Sequence, residues 1–175
     1  MDFDHFEFRR VESIETTSYF RIELCQVYEN FMFMDFNESL LKSQGYGKYE
    51  VLNVEFFPYL WLAYTDQPSD SGQTHSDVYA RFEAQDETVL AAVDKFRGLT
   101  DEAKVAIETK NWVRLGELMN ANFDLRRELY GDEIIGEVNL RMIEIGRSLN
   151  CPTKLPGSGG SVIGLASQWI KLVSI

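Results

Sequence analysis

The stretch TKLPGSGGSVIGL, Thr153–Leu165, sets a proline and several glycines between apolar residues. So side-chain-poor a loop is either a plain turn or a place where backbone amides approach an anion. Its GSGG core, Gly157–Gly160, is followed by the β-like SVIGL, so the loop joins two strands and does not open a helix. It lacks the Lys-Ser/Thr of a Walker loop and does not fit GxGxxG, so phosphate binding at a helix N-terminus is not available. Two readings stay open: a glycine-rich hairpin, or a nest in which the N–H groups of Gly157, Ser158, Gly159 and Gly160 converge on one anion. Either way the end of the chain belongs to a sheet, and that decides the fold class.

Working back toward the N-terminus, a long helical region runs from about Ser76 to Gly146. Gly98-Leu99-Thr100, Lys110-Asn111 and Tyr130-Gly131-Asp132 read as its internal boundaries. Thr100-Asp101 and Asp132 read as helix starts, and Val138, Met142, Ile145 and Leu149 as the core face of the last helix. Before it, YEVLNVEFF and YLWLAYT are strand candidates broken at Phe57-Pro58, VYENFMFMDF is rich in β-formers, and NESLLKSQGYGK reads as an exposed connection. Met1–Leu24 reads as a strand, and so does the terminal SQWIKLVSI. Strands, then helices, then strands predict an α+β fold, with helices packed on one face of a mainly antiparallel sheet.

Three features can carry chemistry. In LGELMNANFDLRREL, Leu115–Leu129, a spacing of about 100° per residue puts Leu115, Leu118, Met119, Leu125 and Leu129 on one apolar face. Asn122 and Arg126 fall in the middle of that face. A buried guanidinium without a partner is too costly for a small domain, so Arg126 must meet an acid, carbonyls or an anionic ligand. An internal salt bridge, a helix cap and a bound anion all stay open. The loop PSDSGQTHS, Pro68–Ser76, follows an apolar strand and offers Asp70, Ser71, His75 and Ser76 as polar groups, with Gly72 permitting close approach. Ser71, Thr74 or Ser76 can equally serve as a helix N-cap. Met34-Asp35 is a metal ligand or a strand terminus, and reads as the terminus.

A formal charge of -11 and a pI near 4.6 in 175 residues argue against non-specific binding to nucleic acid or to an anionic membrane. Cys25 and Cys151 are far apart and lack CxxC spacing, which reads as reduced thiols. With only His5 and His75 for histidines, no zinc site is expected. No apolar run approaches the roughly 20 residues of a membrane span, and the acidic start MDFDHFEF is unlike a signal peptide, so the expected address is the cytoplasm.

Together QVYENFMFMDF, YTDQPSDSGQTHSDV, LGELMNANFDLRRELYGDE and TKLPGSGGSVIGL resemble the C-terminal part of plant-type glucuronokinases, with LMNxNFDLRR and KxxGSGG the most specific matches. These are sugar 1-kinases of the GHMP (galactokinase, homoserine, mevalonate, phosphomevalonate) kinase superfamily. The resemblance covers roughly Gln26 to Leu165. It implies a GHMP-kinase C-terminal domain, and transfer of the γ-phosphoryl of ATP to the anomeric hydroxyl of glucuronic acid with Mg²⁺. It also implies that the GSGG loop (Gly157, Ser158, Gly159, Gly160) lies near phosphates and sugar. The loop carrying Asp70, Ser71, Gly72, His75 and Ser76, and the helix carrying Asn122 and Arg126, would face the same cleft.

The chain departs from the family in four places. Nothing in Met1–Leu24 is like the family's main phosphate loop, PxxxGLSGSSA. The position of the family's catalytic Asp, aligned on Gln26-Val27-Tyr28, holds Ile22, so no catalytic residue carries over. The usual Thr before GSGG is Pro156, and beyond Leu165 the family's further helix and strand have no counterpart. The expected organisation is an unmatched segment 1–24, a remnant of the kinase N-terminal domain over 25–48, and a C-terminal domain over 49–175 that is truncated at its end. Such a chain is expected to be inactive alone. It would otherwise act with a missing kinase lobe supplied by another chain, or serve as a non-catalytic sugar-acid or nucleotide binding module. A half kinase is also expected to be marginally stable, because it exposes apolar surface that its other lobe would cover.

Overall fold

A computed structural model describes residues 31–52, 54, 57–65, 78–157 and 159–166. The contacts divide the chain into two units, Met1–Val54 and Glu55–Ile175. The strand readings of Met1–Leu24 and of SQWIKLVSI lie outside the described residues.

In the first unit β1 (Met32–Asp35) pairs antiparallel with β2 (Lys48–Val51), with Met32 opposite Val51 and Asp35 opposite Lys48. Asp35 does end its strand as read: its Oδ1 accepts from the Asn37 amide at 2.9 Å. The following segment is not a plain connection, because α1 (Glu38–Gln44) forms within it. Asn37 caps it by accepting from the Ser39 amide at 2.9 Å, and Glu38 and Lys42 pair one turn apart. None of its residues is buried, so local capping rather than an apolar stripe specifies this helix.

The second unit carries a three-stranded antiparallel sheet in the order β3 (Tyr59–Tyr64), β5 (Ser161–Ala166), β4 (Thr153–Lys154). Alternation along β3 sends Trp61 and Ala63 to the helical side, while Leu60, Leu62 and Tyr64 remain exposed. Three helices accompany the sheet: α2 (Glu87–Glu108), α3 (Trp112–Ile135) and α4 (Glu137–Ser148). A short helical segment at 78–83 precedes α2, and Asp86 caps α2 by accepting from the Thr88 and Val89 amides.

Two of the expected helix boundaries hold and one does not. Lys110-Asn111 separates α2 from α3, with Asn111 accepting from the Arg114 amide. Gly131, at φ 78° and ψ 161°, breaks α3 near its end. Gly98-Leu99-Thr100 does not interrupt α2, and Thr100-Asp101 starts no helix. A single interior glycine costs only about 1 kcal/mol, and the Thr100 hydroxyl donates to the Phe96 carbonyl at 2.9 Å. Asp132 does open the short helical turn after this break: its carbonyl accepts from the Gly136 amide at 2.9 Å, and its carboxylate takes a bidentate pair from Arg127 at 2.5 and 2.6 Å. That turn does not run on into the last helix, which begins at Glu137 after Gly136.

The main core holds Phe123, Ile135, Ile143, Leu155 and Val162, with Trp61, Ala63, Tyr130, Leu140 and Met142 packed against it. The expected core face of α4 is therefore out of phase: Met142 lies on it, but Val138, Ile145 and Leu149 are exposed, while Ile143 and Gly146 are buried. Sheet and helix approach so closely here that a Cβ on Gly146 would strike Thr153 Oγ1, and a Cβ on Gly164 would strike the Trp61 indole. On α3 Leu115 and Leu118 are buried as read and join Ala106 in a second cluster against α2, but the most buried side chain is Phe123. Met119, Leu125 and Leu129 are half-buried.

Gly98 and Gly164 test this packing in opposite senses. Nothing lies within 4 Å of a Cβ at position 98, so Gly98→Ala should stabilise the chain by up to about 1 kcal/mol. Gly164→Ala should destabilise it by roughly 1–3 kcal/mol through overpacking against Trp61. Urea unfolding of the two variants reads both, and equal midpoints would contradict the close approach.

Candidate functional site

The loop between β4 and β5 is a hairpin connection, as its flanking strands predict, and it is fixed at three points. Leu155 anchors its start in the core, at 2% exposure. At its end Gly160 donates its N–H to Asn139 Oδ1 at 2.9 Å and accepts from the Thr65 amide at 2.9 Å. Asn139 is itself oriented by donating Nδ2 to the Ile135 carbonyl at 2.7 Å. Gly159 and Gly160 hold φ at +145° and +73°, and a Cβ on Gly159 would lie 2.8 Å from Asn139 Nδ2. The Gly160 amide is thus committed to a side chain and is not one of a set of free donors.

The third point is Arg126. From α3 its Nη1 donates to the Gly157 carbonyl at 2.7 Å, and its guanidinium stands 5.4 Å from the centre of the Tyr130 ring. Arg81, Arg97, Arg114, Arg127, Arg141 and Arg147 each pair with a carboxylate, whereas Arg126 has none among the described residues. Of the partners open to it from sequence, a carbonyl is present and a salt bridge is not. Burial holds the Arg126 pKa below its ordinary value, opposed by Tyr130; burial also raises the Tyr130 hydroxyl, opposed by Arg126.

Lys154, the last residue of β4, is half-buried and has no carboxylate partner among the described residues. Burial, then the nearby Arg126 charge, lowers its pKa to about 8. Asn122 is half-buried one turn before Arg126 on α3, and its side chain has no hydrogen-bond partner among the described residues. Behind this corner Asn120 accepts from the Thr153 amide at 3.0 Å and holds β4 to α3. Arg147 steadies Asn120 in turn, donating to its carbonyl at 3.0 Å and to Asp124 at 2.7 Å across the face of Phe123.

Gly157, Gly159, Gly160 and Arg126 are therefore brought together, with Asn122 on the same side of α3. Ser158, Asp70, Ser71, Gly72, His75 and Ser76 lie outside the described residues. Sequence reading missed Lys154, Asn120 and Asn139. The first two were visible as the Lys of KxxGSGG and the first Asn of LMNxN, but Asn139 carried no local signal. Two cations free of carboxylates suit an anion such as a phosphate or a carboxylate. Among the described residues no group of three or more His, Cys, Asp or Glu could hold a metal ion.

Residues 103–168 match the family model for the GHMP kinases C terminal. The chain therefore carries the C-terminal domain of the GHMP kinases. Within that family it is glucuronokinase-like. It is 38% identical over 141 residues to a probable glucuronokinase 2 of Arabidopsis thaliana, covering 80% of this chain and 38% of that protein. To glucuronokinase 1 of the same plant it is 37% identical over 140 residues, covering 80% and 39%. The chain thus spans under two-fifths of the length of these curated relatives. In fold it is similar to L. major mevalonate kinase in complex with R-mevalonate, at TM-score 0.64 and 22% identity over 73% of this chain and 39% of that one. A Lin0012 protein from Listeria innocua gives TM-score 0.58 and 18% identity over 85% and 42%.

The lowered Lys154 pKa has a signed consequence. Between about pH 8 and 10.5 the unfolded chain holds the proton that the folded chain has lost, so this group makes stability rise with pH across that window. Below it the cost of a buried charge is present in full. Urea unfolding at several pH values should show wild type gaining on Lys154→Met as pH rises through the window, and parallel curves would contradict the assignment.

Proposed function

We propose that this chain provides one side of the active cleft of a sugar 1-kinase that phosphorylates glucuronic acid from ATP. The observation that carries the reading is the pair of cations, Arg126 and Lys154, with no carboxylate partner among the described residues, beside a pinned glycine loop in a chain 38% identical to a probable glucuronokinase. Phosphoryl transfer depends on positioning and on neutralising charge around the phosphates. Bound ATP would supply the phosphoryl group and Mg²⁺ part of that neutralisation. Arg126 and Lys154 fit the anionic side of the cleft, Asn122 offers both a donor and an acceptor to a hydroxyl, and Asn120 with Arg147 keeps β4 in place. The loop residues Asp70, Ser71, Gly72, His75 and Ser76, with Ser158, complete the set by resemblance to the family.

The 175 residues contain no PxxxGLSGSSA phosphate loop, and by resemblance Ile22 stands where the family has its catalytic Asp. We therefore read the chain on its own as inactive, with a non-catalytic sugar-acid or nucleotide binding module as the alternative. We read 25–48 as a remnant of the kinase N-terminal domain and 49–175 as the C-terminal domain. We place the chain in the cytoplasm on the reading of Cys25 and Cys151 as reduced thiols; no helix among the described residues is long and apolar enough to cross a membrane.

Purified chain with ATP, Mg²⁺ and glucuronic acid should release no ADP beyond the sugar-free background. Formation of a sugar 1-phosphate by the chain alone would overturn its inactivity and restore it as an enzyme in its own right.

A further inference from the structure

The free corner beside the glycine loop is built for one negative charge more than for several. We propose that Arg126 and Lys154 form the subsite for the carboxylate of the sugar acid, and so set the preference for an acidic over a neutral sugar; this rests on the kinase reading.

Several observations support a carboxylate over a phosphate at this point. The loop turns a carbonyl, that of Gly157, toward Arg126, and the Gly160 N–H is spent on Asn139. A phosphate cradle needs converging amides, and the Gly160 N–H is withdrawn from any such set. The bond to Gly157 uses one of the five N–H donors of Arg126, and the rest have no protein partner among the described residues. A planar fork held from one side by a carbonyl and over a Tyr130 ring is oriented to meet a carboxylate edge on. Lys154 adds a point charge from β4. Because burial, and then the Arg126 charge, disfavours protonation of Lys154, the pair holds its second charge loosely in the absence of an anion and firmly once one arrives. Asn122, one turn away and without a side-chain partner among the described residues, fits a neighbouring ring hydroxyl, as a sugar acid has and inorganic anions lack.

The test titrates the full 175-residue chain with sodium glucuronate, glucose and inorganic pyrophosphate at pH 7.5, following the Lys154 side-chain NMR signal, identified by its loss in Lys154→Met. Glucuronate should bind saturably and move the signal toward the protonated form, and glucose should not. Glucuronate affinity should fall about tenfold or more in Arg126→Ala, and less in Arg126→Lys, which keeps the charge and loses the fork. Lys154→Met, followed by calorimetry, should weaken it similarly, and the circular dichroism of each variant controls for folding. Glucose binding as tightly as glucuronate, or variants that fold and bind glucuronate unchanged, would overturn the subsite. Pyrophosphate saturating the corner while glucuronate fails to compete would make it a phosphate site, ending this proposal and leaving the kinase reading intact. No response to any of the three would count against both.

Discussion

The architecture of the second unit depends on the contact of Trp61 with the backbone at Gly164. The indole fills the space that a side chain at 164 would need, and α4 descends onto the same place through Gly146. This brings Thr153 to full burial and fixes β4 between β5 and the helices. The loop that follows β4 inherits its position from there, and so does Lys154. The contact has a cost, since the buried Trp61 Nε1 finds no hydrogen-bond partner among the described residues, a loss on the order of 1–3 kcal/mol. Packing of a large aromatic into a space that admits nothing else offsets it.

A second layer of constraint is polar. Three asparagine and arginine side chains, Asn120, Asn139 and Arg147, replace what a longer sheet would provide in backbone ladders. They tie β4, the loop and the two helices into one frame. Arg126 makes the last tie and differs from the others in kind. It spends one donor on the frame, and among the described residues the others meet no protein acceptor.

Much of this was legible in the sequence. The β-formers of YLWLAYT and SVIGL became neighbouring strands, and the polar pair Asn122 and Arg126 on an apolar helix pointed to the corner. The errors share a physical cause. Apolar periodicity registers only side chains with hydrophobic mass, so it cannot see that Gly146 is the inner face of α4, and it placed Val138, Ile145 and Leu149 inward instead. It likewise treated Gly98 as a break, although one interior glycine is a small cost, and good helix formers on both sides carry α2 through. The helix α1 is set by its Asn37 cap, a signal that was read as loop polarity. Asn139 lies some twenty residues before the loop it orients, and only the tertiary fold reveals the pairing.

The glycines of GSGG read as one motif, but they are held by different forces and should diverge at different rates. A side chain at 157 would project into open space from an ordinary backbone conformation, whereas 159 and 160 sit at positive φ, with Asn139 against the first. Natural variants of this loop should therefore drift at the first glycine and stay fixed at the last two, and any loss at 159 should be accompanied by a change at 139.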